Sequence, residues 1–177
     1  MTTSTRSIRL LAGTTCAVIA LTGCSTTMTG TPLPVTVTSK PNTSSTGTNL
    51  FGNLTACQVL DQVLTGQGFA PGERITRRNE CDASKPGYAS YGLALDPVQG
   101  LAEFKKTDPG AVPTDINGRN AMQAPSKIEG QCLVAIEVGA HARAVVDVTL
   151  SSLDTAAACS DARQLAQQVE PLLPKGQ

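Results

Sequence analysis

Alternation of apolar and polar positions is the dominant pattern in the second half of the chain, and it predicts half-buried β-strands. Large apolar residues recur at every second position over 132–138 and 143–150, and an earlier run over 91–95 has the same period. Between these runs, Asn117-Gly118 is a strong hairpin signal, because both central residues of that turn take positive φ. The pattern therefore predicts consecutive hairpins and an antiparallel sheet of about five strands.

Apolar spacings of three and four residues predict a helix at each end of this region. The first helix is capped by Asn53 or Thr55 and runs to about Leu64. The second helix is capped by Asp154 and ends before Pro174. Its apolar stripe consists of Cys159, Ala162, Leu165, Ala166, Val169 and Leu172.

The expected fold class is α+β, with the N- and C-terminal helices packed on one face of the antiparallel sheet. A short third helix is predicted over 97–106, with Val98, Leu101 and Phe104 on its inner side. The run from 74 to 81 has a charged, loop-like composition. The first predicted strand therefore follows Pro86-Gly87.

The N-terminus has the anatomy of a secretion signal. Arg6 and Arg9 precede a short apolar run over 10–21, which ends in Leu21-Thr22-Gly23-Cys24. This ending resembles the lipobox of bacterial lipoproteins, which implies cleavage before Cys24 and attachment of a diacylglyceryl group, with acyl chains such as palmitate, to its thiol. A transmembrane helix needs about 20 apolar residues, and an ordinary signal peptide ends in an Ala-x-Ala-like site. The lipobox interpretation is favoured over both, and it predicts a lipid-anchored protein on the outer side of the cell membrane.

Composition divides the rest of the chain into two regions. Residues 24–49 are rich in Ser, Thr and Pro, which predicts a flexible linker because such a segment buries too little apolar surface to fold. Glycosylation of this linker is left open. Residues 50–177 form a single predicted α+β extracytoplasmic domain.

The charge balance of the chain excludes some classes of partner. The chain has 14 basic and 14 acidic residues, and loss of Arg6 and Arg9 with the signal leaves a slight acidic excess. That balance argues against nucleic acid as a partner.

Aromatic residues make up 3% of the chain and Trp is absent, so the core has to be built from small side chains that each bury little area.

Four cysteines remain after the signal and the lipidated Cys24 are set aside, and they predict two disulfides in an exported chain. Three pairings are possible. We favour Cys57–Cys81 and Cys132–Cys159, because each joins a predicted helix to a neighbouring strand and closes a short loop, worth roughly 3 kcal/mol.

Candidate catalytic chemistry is sparse. His141 is the only histidine, and it falls in a predicted turn between two strands. It completes neither a catalytic triad nor a usual zinc set. The carboxylates nearest to a glycosidase-like pair are Glu80 with Asp82 and Asp96 with Asp108, in predicted loops. We expect no catalytic residue, no metal site and no cofactor, and therefore no enzyme.

Arg74, Arg77 and Arg78 are a candidate contact surface, because the guanidinium group pairs well with carboxylates and phosphates. Acidic neighbours flank them, so a neutralised surface loop is the alternative. Glu137 and Asp147 fall on adjacent predicted strands and mark the solvent face of the sheet.

The order of these features resembles the actinobacterial lipoprotein family known as domain of unknown function 3558. The resemblance rests on the lipobox, the spacer, Cys57 before a leucine, the segment 116–121 and a cysteine in the C-terminal helix. It implies an envelope location and a disulfide arrangement, but no activity. We expect a non-catalytic binding or accessory module that engages another envelope protein, or alternatively a carrier or sensor of a small apolar or lipid ligand.

Overall fold

A computed structural model describes residues 49–175 of the chain. The signal sequence, Cys24 and all but the last residue of the 24–49 linker lie outside the described residues. The elements, in chain order, are α1 (Ala56–Leu64), β1 (Glu73–Arg74), β2 (Glu80–Lys85), β3 (Ala89–Asp96), α2 (Leu101–Thr107), β4 (Val112–Ile116), β5 (Arg119–Pro125), β6 (Gln131–Gly139), β7 (Ala142–Leu150) and α3 (Thr155–Val169), followed by a 3-10 turn (Glu170–Leu172). The predicted α+β class is confirmed.

The sheet of the described region has seven strands in the order β1-β2-β3-β7-β6-β5-β4, and every neighbouring pair is antiparallel. The prediction of about five strands is therefore wrong. The two additional strands, β1 and β2, lie where the sequence indicated a charged loop. The inward residues of β2 are only Cys81 and Ala83, which give too weak an apolar alternation to predict a strand.

The two terminal helices begin at the predicted caps. The Gln58 backbone N–H donates to Thr55 Oγ1 at 3.3 Å, and Asp154 Oδ1 accepts from the Ala157 N–H at 3.0 Å. Their apolar faces share one core with the inward side chains of β3, β6 and β7. The expected packing of both helices on one sheet face is thus present, and we call this side the helix face.

Two disulfides join the helices to the sheet. Cys57–Cys81 connects α1 to β2, and Cys132–Cys159 connects β6 to α3. These are the two pairings favoured from the sequence. The core is made largely of Ala, Val and Leu side chains, so the two disulfides are important for the stability of the fold.

Helix α2 packs on the opposite face of the sheet. Its Phe104 is buried against three alanines, of which Ala135 belongs to β6. The predicted start at residue 97 is wrong, because the helix begins only after Gly100, whose N–H donates to the Glu103 carboxylate at 2.9 Å. Val98 therefore lies before the helix and is 66% exposed rather than buried.

Candidate functional site

A groove of about 690 Å³ lies on the sheet face opposite α1 and α3. Helix α2 covers one side of this face, and the loop between β1 and β2 borders the other. Asn49 and Phe51, at the start of the described chain, also line it. The volume is within the range typical of ligand sites.

The floor of the groove follows β7. Arg143, Val145 and Asp147 alternate along this strand, so they project to the same face and all three line the groove. Ala94 is the register partner of Val145, and Leu133 is the partner of Asp147. The centre of the floor is thus apolar, with a charged residue at either end.

A pair of carboxylates occupies one end of the groove. Asp82, Gly92 and Asp147 are register partners on three adjacent strands. A carbon atom attached to Gly92 would lie 3.1 Å from the Asp147 carboxyl carbon, so this carboxylate rests over the glycine. Asp82, on the other side, accepts a hydrogen bond from Ser90 Oγ at 2.8 Å. We call Asp82, Gly92 and Asp147 the carboxylate row.

Burial changes the acidity of this row. Removal of Asp147 from water, with a smaller contribution from the charge of Asp82, raises the pKa of Asp147 to about 6. Asp147 lies on the sheet face that the sequence indicated, but in a partly buried position. Glu137, its expected companion, lies on β6 and accepts from Asn120 Nδ2 at 2.8 Å; it is not among the lining residues.

Arg143 lies at the other end of the groove and is 8% exposed. Its Nη1 donates to the Gly100 carbonyl and its Nη2 to Gln99 Oε1, each at 2.9 Å. The Asp96 carboxylate is 3.9 Å away, beyond hydrogen-bond distance. The Arg143 Nε is buried and has no hydrogen-bond partner among the described residues.

Of the predicted contact residues, only Arg78 lines the groove. Arg74 lies in β1 and Arg77 in the following loop, and both are exposed. Asn79 fixes the base of this loop, because its side chain accepts from the Ala56 N–H and donates to the Leu54 carbonyl, both at 2.8 Å. The structure thus brings one end of the predicted surface to the groove.

The rim of the groove exposes apolar side chains that the sequence analysis did not select. Ile75 is 62% exposed and Val98 is 66% exposed, and both line the groove. The charged lining residues are Arg78, Glu80, Asp82, Asp96, Asp108, Arg143 and Asp147. Acidic groups therefore outnumber basic ones, although the chain as a whole is balanced.

The carboxylate row was also missed. One signal was available, because a glycine within a strand often marks a close approach, and Gly92 lies within the predicted 91–95 strand. Pairing it with Asp82 required a β2 strand that the sequence did not reveal.

Within residues 49–175, no group of three or more His, Cys, Asp and Glu side chains is arranged to hold a metal ion. In the same region, no helix combines the length and hydropathy needed to cross a membrane. His141 is exposed at the turn between β6 and β7.

Comparison with known proteins yields no relative. No family model, curated protein or solved structure matches the chain. The resemblance to the lipoprotein family therefore stays a prediction, and any function has to be argued from the groove itself.

Proposed function

We propose that the chain is a lipid-anchored, non-catalytic binding module of the cell envelope, and that its groove engages another envelope protein. The observation that carries this proposal is the groove, because it combines an apolar floor with exposed apolar and charged residues at its margin. Protein contact sites typically have this anatomy of an apolar centre and a polar rim.

Two features support an extracytoplasmic setting. The described region contains two disulfides, which persist in oxidising compartments and are rare in the cytosol. The predicted lipobox at Cys24 supplies the anchor. Together they favour a partner that is also held at, or exposed on, the outer side of the membrane.

A site-specific cross-linking experiment in cells tests the proposal. A photoreactive amino acid replaces Ile75 or Val98 at the groove margin, and matched controls replace Ile128 or Val112, which are 60% and 55% exposed and do not line the groove. We expect one dominant cross-linked protein from the groove positions and none of it from the controls. Identical products from all four positions, or none from Ile75 and Val98, would overturn the proposal.

A carrier or sensor of a small apolar or lipid ligand is the second candidate. The apolar floor and the volume of about 690 Å³ favour it. Native mass spectrometry of the full chain separates the two functions. A bound lipid that is lost when Val145→Asp places a charge on the floor would support the carrier, whereas a ligand-free protein that still cross-links would support the protein-binding module.

A further inference from the structure

We infer that the carboxylate row binds a cationic side chain, lysine or arginine, carried by an extended segment of the partner protein that lies along β7. This inference rests on the proposed function and specifies the chemistry of the same groove. Its occupant is a peptide segment, and a free lipid is an outcome that the test can detect.

The two carboxylates of the row lie on either side of Gly92. Asp82 and Asp147 lie two strands apart, which separates their Cα atoms by about 10 Å. Gly92 lies between them without a side chain, and the Asp147 carboxylate rests over it. The row is therefore open to the groove at a point where two carboxylates approach from opposite sides.

The two carboxylates of the row lack a counter-charge among the described residues. Neither Asp82 nor Asp147 forms an ion pair within the described part of the chain. Among residues 49–175, the Asp82 carboxylate accepts one hydrogen bond, from the neutral Ser90 hydroxyl. Buried or half-buried charges are normally paired, so a cation from another molecule would complete this end of the groove. The acidic excess of the lining residues attracts the same kind of group.

A buried guanidinium group lies at the opposite end of the groove. The Arg143 side chain is more than nine-tenths buried, and its Nε lacks an acceptor among residues 49–175. Arg143 and Asp147 are four residues apart on one strand, which corresponds to about 13 Å. The groove thus has a buried positive charge at one end and two carboxylates at the other.

This polarity defines the segment that fits. An extended peptide also advances by about 13 Å over four residues. A basic residue over the carboxylate row would then place the residue four positions away at the Arg143 end of the groove, where an acidic side chain would complement the charge. Apolar residues between them would cover Val145 and Ala94.

A pair of small probes tests the cationic preference directly. Octylammonium and octanol share the same chain, and only the first carries a charge. Each is titrated into the ¹⁵N-labelled full chain at pH 7.5 and followed through the backbone amide signals. We expect octylammonium to shift the signals of Gly92, Val145 and Asp147 at concentrations at least tenfold lower than octanol.

The variants Asp82→Asn and Asp147→Asn preserve shape and remove charge, and Glu129→Gln is the matched control on an exposed residue outside the groove. We expect at least a tenfold loss of octylammonium affinity in the two groove variants and no change in the control. Gly92→Ala is a further variant, because its methyl carbon would lie 3.1 Å from the Asp147 carboxyl carbon and would displace this carboxylate. Equal affinity for both probes, or affinity unchanged in both Asp variants, would overturn the inference.

The in-cell experiment separates this inference from the proposed function. If the Ile75 cross-link forms in the parent chain and is lost in the Asp82→Asn, Asp147→Asn double variant, the result supports both the protein-binding function and the cationic contact. A cross-link that persists in the double variant keeps the protein-binding function and overturns the cationic contact. A third result is that no cross-link forms but octylammonium still binds through the carboxylate row. This result would indicate a free cationic amphiphile as the ligand and would overturn the peptide occupant.

Discussion

Asp147 is an acid whose ionised form is less well solvated in the folded chain than in water. Its neighbours on the flanking strands are Gly92 and Leu133, which offer no side-chain hydrogen bond, and the nearest charge that acts on it is that of Asp82. Binding sites commonly retain ionisable groups whose charged form is poorly solvated, although such groups lower the stability of the fold.

The raised pKa of Asp147 leads to a prediction about stability. Because the pKa rises from 3.8 to about 6 on folding, the folded state binds the proton more tightly, and stability falls as the pH increases through this interval. Asp147→Asn should therefore raise the free energy of unfolding at pH 7. The full shift corresponds to about 3 kcal/mol, and partial solvent exposure reduces the expected gain to about 1–2 kcal/mol.

Urea denaturation at pH 7 and pH 3 measures this gain. Below both pKa values the carboxyl is neutral in either state, so the advantage of Asn should disappear at pH 3. Glu129→Gln, on an exposed residue, should have no effect at either pH. A variant that is less stable than the parent at pH 7 would contradict the prediction.

The β4–β5 hairpin contains the Asn-Gly motif from which a turn was predicted. Its turn residues Asn117 and Gly118 have φ values of 53° and 87°, as the Asn-Gly signal predicted. Asn117 Nδ2 donates to the Gln167 carbonyl at 2.9 Å, and Arg119 donates to Glu170 and to the Pro174 carbonyl, also at 2.9 Å. The segment 116–121 thus attaches the hairpin to the end of α3.

This attachment predicts a clear difference between two ion pairs. Arg119 and Glu170 are 16% and 14% exposed, so Arg119→Met should leave a half-buried carboxylate unpaired and cost about 2–3 kcal/mol. Lys106→Met removes a 3.9 Å pair in which the lysine is 77% exposed, and should change stability by less than about 0.5 kcal/mol. Thermal or urea unfolding of both variants provides the comparison, and equal effects would rule out the proposed role of Arg119.

The elements that could be predicted are those whose side chains give a strong periodic signal. β3, β6 and β7 carry Val, Ile and Leu on the helix face, and the caps of α1 and α3 are typical Thr and Asp caps. β2 could not be predicted, because its inward positions are Cys and Ala. The boundary of α2 depends on Gly100, where an added carbon would clash with the Ala140 carbonyl. That approach is a tertiary contact that local propensity does not encode.

The candidate site was harder to predict than the elements, since it depends on strand order. Asp82 and Asp147 are neighbours across β3 only because β3 pairs with β7, which follows it by more than forty residues. Periodicity identifies strands and the face to which a residue points, but it does not specify which distant strands are adjacent. The cysteines, by contrast, needed only a choice among three pairings.

At the scale of the whole molecule, the predicted anchor lies outside the described residues and is separately testable. Cys24→Ala should move the protein from the membrane fraction to the soluble fraction, because the substitution removes the thiol to which the predicted lipid is attached. Fractionation of cells that express either form measures this. Unchanged membrane retention of the variant would contradict the lipobox interpretation.

The two outer strands of the sheet affect how copies of the chain can associate. β1 contains only two residues, and β4 contains Pro113, which has no backbone N–H to donate to another strand. Neither outer strand therefore offers the long row of free donors and acceptors through which sheets join edge to edge. The predicted lipid anchor would confine the molecules to a membrane plane, where copies of the chain collide often. These short or proline-bearing edges would then prevent the copies from joining into one continuous sheet.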